Sequence, residues 1–148
     1  VPTLVVPNPP LPVGTRRAEL CQLPDVAATI AQLCNLNWSS GVWGIGQLEW
    51  KVDDTPINWS PGQQTIGLVD GVKSWIRVPA WSLAFTSGDM NQLFVKPDDR
   101  WEMSEVSIRC ADVVSELREL AEIFYQAARE GNRGNLPVLN ERLCDLLR

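Results

Sequence analysis

The 148-residue sequence contains no histidine, so it lacks both the imidazole base of Ser/His/Asp and Cys/His catalysis and the commonest metal ligand. Its four cysteines, Cys21, Cys34, Cys110 and Cys144, stand far apart with no CxxC pair, which removes the usual structural zinc and redox motifs. Apolar runs are short. Charge, Pro or Gly interrupts each one before the roughly 20 residues that a membrane-spanning helix needs. Positive charge is scarce as well: 13 Lys and Arg against 18 Asp and Glu give a net charge of -5. The densest basic point is Arg16-Arg17, and Arg118, Arg129, Arg133, Arg142 and Arg148 are interleaved with acids, so phosphate backbones are repelled and nucleic acid is not an expected partner. Gly41, Gly44 and Gly46 lack the Lys and the strand-to-helix context of a phosphate cradle. No catalytic residue, metal or cofactor is assigned from the sequence.

Apolar residues make up 45% and charged residues 21%, an ordinary globular balance that predicts a folded core. The expected organisation is a proline-rich arm at 1–14 followed by a single domain at 15–148. The arm, VPTLVVPNPPLPVG, has five prolines, which fix φ, remove amide donors and favour polyproline II geometry. Leu4, Val5, Val6 and Leu11 are too apolar for an idle tail, so the arm is expected to lie along a surface of this domain or of a neighbour; a linker is the plain alternative. The non-Met start, with no signal-peptide pattern behind it, is read as a cleaved or excised origin.

Beyond the arm the pattern predicts α+β architecture. A short N-terminal helix is expected from about Pro24 to Cys34, with Val26, Ile30, Leu33 and Cys34 on its apolar face. From Asn37 to Cys110, alternating segments separated by Gly, Pro, Asn and Asp predict an antiparallel, Trp-rich sheet of five or six strands. Those segments include Leu48–Val52, Ser74–Val78, Trp81–Phe85, Gln92–Val95 and Val106–Cys110. Two amphipathic C-terminal helices follow. Ala111–Glu130 carries Val113, Val114, Leu117, Leu120, Ala121, Phe124 and Ala128 on one stripe and is stopped by Gly131; Asn135–Leu147 uses Asn135 as N-cap. The cysteines, each among apolar neighbours, are read as reduced thiols of the core.

Seven tryptophans all fall in the β region. Trp50 and Trp81 alternate like core residues, whereas Trp38, Trp43, Trp59 and Trp101 sit in turn-like sequence and are the candidate binding residues, with Leu4, Val5, Val6 and Leu11 of the arm. A weak repeat relates Asn37-Trp38-Ser39-Ser40-Gly41 to Asn58-Trp59-Ser60-Pro61-Gly62; both copies also match a short glycosylation pattern. The carboxylates Asp53-Asp54, Asp70 and Asp98-Asp99 could serve glycoside hydrolysis, although adjacent turn acids more often act as caps.

The balance is therefore against an enzyme. The expected function is a structural or assembly subunit that contacts other protein chains as an oligomer or larger complex, with a viral capsid or shell component in a virion as the concrete form, by analogy of architecture. A carbohydrate-binding module with Trp38, Trp43 and Trp59 as stacking platform is the alternative, and a small carboxylate-dependent hydrolase the next.

Overall fold

A computed structural model describes residues 20–34, 36–37, 48–49, 58–59, 65–69, 72–88, 90–131 and 136–145. The chain divides into two compact units, Val1–Gln63 and Gln64–Arg148. An antiparallel four-stranded sheet accompanied by helices makes the architecture α+β.

In the first unit, α1 spans Leu23–Leu33, with Pro24 in its opening turn where a missing amide donor costs nothing. The buried residues of α1 are Asp25, Ala28, Thr29 and Ala31. This corrects the expected apolar face: Ile30 and Cys34 are exposed, and Val26 and Leu33 are only half-buried. The reason is local hydrogen bonding. The Asp25 carboxylate accepts from the Gln22 amide at 2.8 Å, and the Thr29 hydroxyl donates to the Asp25 carbonyl at 2.7 Å, so both polar side chains enter burial with partners. Strands β1 (Leu48–Glu49) and β2 (Asn58–Trp59) form a separate two-stranded antiparallel ladder.

The second unit is a meander of β3 (Ile66–Val69), β4 (Lys73–Arg77), β5 (Trp81–Thr86) and β6 (Asn91–Val95) in sequential order. Val78 and Trp81 exchange backbone bonds at 2.9 and 3.3 Å across Pro79-Ala80, which fixes the β4–β5 register. That register sets Gly67, Ile76, Leu83 and Leu93 in one row across the sheet. Ile76, Leu83 and Leu93 are at most 1% exposed. Each such side chain contributes about 1.5–3 kcal/mol relative to exposure.

Helix α2 (Ala111–Glu130) covers this row by packing on β3 and β4. Its buried stripe is Val113, Val114, Leu117, Leu120, Ala121, Phe124 and Ala127, one residue away from the expected Ala128. Counting by alternate threes and fours from Val113 leads to Ala127, which keeps the stripe on one side of a 20-residue helix. Gly131 ends it at φ 66°, a left-handed cap that a side chain would strain. Arg118 anchors the helix to the sheet edge: Nε donates to Asn91 Oδ1 at 2.9 Å, Nη2 donates to the Thr86 carbonyl at 3.2 Å, and the guanidinium lies over the Phe85 ring.

Three further expectations are corrected. Val106–Cys110 is a turn rather than a strand: Val106 donates once to the Leu93 carbonyl, and Arg109 and Cys110 then turn back onto the Val106 carbonyl. The last helix, α3, is Glu141–Cys144 rather than 135–147. Its cap is Asn140, whose side chain accepts from the Leu143 amide at 3.1 Å and so satisfies a first-turn donor there, while residues 136–140 are not helical. The cysteines are free but do not form the core; Cys21 and Cys34 are exposed and Cys110 and Cys144 half-buried, since each lies at or next to a helix end. Two side-chain and backbone bonds tie α3 to the β4–β5 corner, Ala80 N to Leu143 O at 3.1 Å and Trp81 Nε1 to Arg142 O at 3.0 Å.

Gly67 marks the tightest seam. A Cβ there would lie 3.0 Å from the Phe124 ring and 3.2 Å from the Trp75 carbonyl. Gly67→Ala is expected to lower stability by about 1–3 kcal/mol through overpacking, read as a lower urea midpoint, with part of the loss recovered by Phe124→Leu in the same chain. An unchanged midpoint would contradict this seating of α2.

Candidate functional site

Opposite the α2-covered face, the register places Ile66, Arg77, Ser82 and Phe94 in a row on the second face of the sheet. Polar groups in such a row need partners, and Ser82 obtains one from the segment after β6. The Trp75 indole Nε1 donates to Ser82 Oγ at 3.1 Å, and Ser82 Oγ donates to Glu102 Oε1 at 3.0 Å. Lys96 reaches the same Glu102 oxygen at 3.1 Å and donates to the Asp99 carbonyl at 2.7 Å. Lys96 is 7% exposed, and these two contacts are what its buried ammonium is given in place of water. Arg77 is half-buried with its Nη1 enclosed and without a hydrogen bond; desolvation holds its pKa below the usual guanidinium range, and the charge of Glu102 opposes that.

Ser82, Glu102 and Lys96 have the functional groups of a nucleophile, an acid and a base. Ser82 is 0% exposed, however, and a hydroxyl with no open side cannot meet a substrate. The group acts instead as a clamp on the loop. Glu102 stands at φ 56°, a left-handed backbone that costs a non-glycine residue about 1–3 kcal/mol and is held by its Ser82 and Lys96 contacts. Two carboxylates complete the loop. Asp99 accepts from the Met103 and Ser104 amides, both at 2.9 Å, and Glu105 accepts from the Leu93 and Ser107 amides. The peptide bond between Lys96 and Pro97 is cis.

The clamped loop displays apolar side chains. Trp101 is 78% exposed, Met103 82% and Ile108 91%. Arg100 lies beside Trp101 with its guanidinium carbon 5.8 Å from the ring centroid. Such side chains on a pinned backbone form a rigid apolar projection rather than a catalytic cleft.

The other candidate residues divide clearly. Leu4, Val5, Val6, Leu11, Trp38 and Trp43 lie outside the described residues, as do Trp50, Asp53, Asp54 and Asp70. Trp59 belongs to β2 and pairs with Leu48. Trp81 is buried at 4% exposure. Lys96, Ser82 and Glu102 were invisible in the sequence because they come together only through strand register and a loop return. The nearest sequence signal is the Asp98-Asp99 pair, in which Asp99 works as a cap.

The electrostatics support structural roles for the carboxylates. Backbone bonds from Met103 and Ser104 hold the Asp99 carboxyl below its usual range; the Ser107 contacts do the same for Glu105, and the Arg142 partner for Asp112. A hydrolase acid needs the opposite shift. Partial desolvation, with Asp25 adding to it, raises the Cys21 thiol, which disfavours the nucleophilic thiolate. Among the described residues no cluster of three or more acidic or thiol groups is placed to hold a metal, and no helix is long and apolar enough to cross a membrane. A shallow groove of about 230 Å³ runs between α2 and the segment before α3, lined by Glu116, Leu120, Ile123, Val138, Leu139 and Leu143.

No protein family, characterised protein or solved structure matches the chain. The side chains themselves therefore carry the functional argument.

The Asp99 cap makes the loop acid-sensitive. Its folded pKa is depressed, so its contribution is present above the unfolded value and is lost as pH falls through the folded one. Protection factors of the Met103 and Ser104 amides are expected to be high at neutral pH and to fall below about pH 4, the ordinary carboxylate range. Asp99→Asn should lower them at neutral pH; equal protection in the variant would refute the cap.

Proposed function

We propose that the chain is a non-enzymatic structural subunit that assembles with other protein chains, and that Trp101 and Met103 on the clamped 96–110 loop anchor one of its contacts. The observation that carries this reading is the pairing of high exposure with a fixed backbone. Large apolar side chains exposed to water gain by burial, and a loop already held in place loses little conformational entropy when a partner covers it. Trp, Met and Arg are also the residue types enriched at interface centres, and Arg100-Trp101-x-Met103 brings them together. A shell or capsid component is the concrete form of this role, argued from architecture. In the same reading, a broader Trp-rich sheet of five or six strands would add Trp38, Trp43 and Trp59 to the contact surfaces, with the 1–14 arm supplying a further contact.

Carbohydrate binding is the weaker reading. A sugar platform sets hydrogen-bonding side chains beside the aromatic face, whereas the exposed neighbours of Trp101 include Met103 and the loop carboxylates Asp99 and Glu105 are engaged by backbone amides. Hydrolysis is weaker still, for the reasons of pKa direction and burial given above.

Light scattering over a concentration series is expected to show mass rising above the 16.5 kDa monomer. Trp101→Ala should weaken that association by about 2 kcal/mol or more, roughly thirtyfold, as for a residue at an interface centre. A strict monomer throughout, or a Trp101→Ala chain that associates as well as the parent, would overturn the proposal.

A further inference from the structure

We infer that the groove between α2 and the segment before α3 receives the 1–14 arm of a second copy of the chain, together with the Arg16-Arg17 pair just beyond it. This rests on the assembly reading above and names one pair of surfaces within it. The groove floor is apolar: Leu120, Leu139 and Leu143 are buried beneath it, and Val138 stands 93% exposed on its rim. The rim is acidic. Glu116 and Glu119 line the groove; Ile123 links it to a second depression that includes Glu122 and Tyr125, and among the described residues no Lys or Arg lines either one. Of the arginines of α2 and α3, Arg118 is engaged on the sheet edge and Arg142 in an ion pair with Asp112 at 2.6 Å, while Arg129 lies over Tyr125 at the border of the second depression and away from the Glu116–Glu119 rim.

The arm has the complementary chemistry. Residues 1–17 contain no acidic side chain, carry Leu4, Val5, Val6, Leu11 and Val13 among five prolines, and end in Arg16-Arg17. Proline sets φ in advance, so such a segment loses less freedom on docking than an ordinary tail. The dimensions agree. From Glu116 to Gln126 the helix advances about 15 Å at 1.5 Å per residue, which about five residues of polyproline II would span. With Val13 over Ile123 and beside Val138, Arg16 falls about 9 Å further on, beside Glu116, which is about 10 Å from Ile123 along the helix, and Glu119 lies one turn back on the same rim. Two charges paired at such a rim mainly fix register and orientation, and the apolar contact supplies affinity.

The test uses full-length chains in sedimentation velocity. One variant, Val138→Asp, alters only an exposed groove position, and a second, Leu11→Asp with Val13→Asp, alters only the arm. Each alone is expected to self-associate at least tenfold more weakly than the parent, and an equimolar mixture to recover association, because the mixture contains one intact arm and one intact groove. Glu119→Arg and Arg16→Glu with Arg17→Glu should likewise each weaken association and restore it when mixed. Parent-like association of the variants, or lost association that mixing does not recover, overturns the arm-to-groove contact and leaves the assembly reading standing. A parent chain that stays monomeric at every concentration removes both.

Discussion

The seating of Phe124 over Gly67 is the contact on which the second unit depends. With no side chain at Gly67, α2 can approach β3 closely enough for its stripe to cover Ile76, Leu83 and Leu93. That approach determines which sheet face is apolar and which carries the Arg77–Ser82 row. It also decides which side of α2 remains outward, so the Glu116–Glu119 rim and the groove beside it follow from the same seam. Arg118 and the α3 bonds to Ala80 and Trp81 hold the two ends of this packing in register.

The second face is organised by polar satisfaction rather than by apolar area. Burying Ser82 and Lys96 is costly unless each finds partners, and the chain supplies them by folding the 96–105 segment back so that Glu102 serves both. The left-handed Glu102 backbone is the local cost of that return. Its consequence is a loop whose interior is fully engaged and whose outer side consists of Trp101 and Met103. An apolar projection of this kind is a liability for a protein that remains alone, and a pre-organised anchor for one that assembles.

Periodicity made much of the fold legible. The bounds of α2, the β4 to β6 segments and the Gly131 stop all follow from repeat spacing and turn chemistry. It failed where local hydrogen bonds outweighed hydropathy. Asp25 and Thr29 are buried because capping and back-bonding satisfy them, Val106–Cys110 turns because Glu105 and the Val106 carbonyl gather its amides, and Asn140 rather than Asn135 starts the last helix. Of the site, the turn-like setting of Trp101 could be read from its Pro and Asp neighbours. The Ser82–Glu102–Lys96 clamp could not, since its members are joined by cross-strand register and a loop return that no spacing encodes.

The central claim is that the clamped loop is a protein-contact surface. Hydrogen exchange read by mass spectrometry, on the full chain below and above its association midpoint, tests it most directly. The account predicts added protection over residues 99–108 on association while β4 and β5 exchange as before. Association that leaves 99–108 unchanged and protects other segments instead would contradict it.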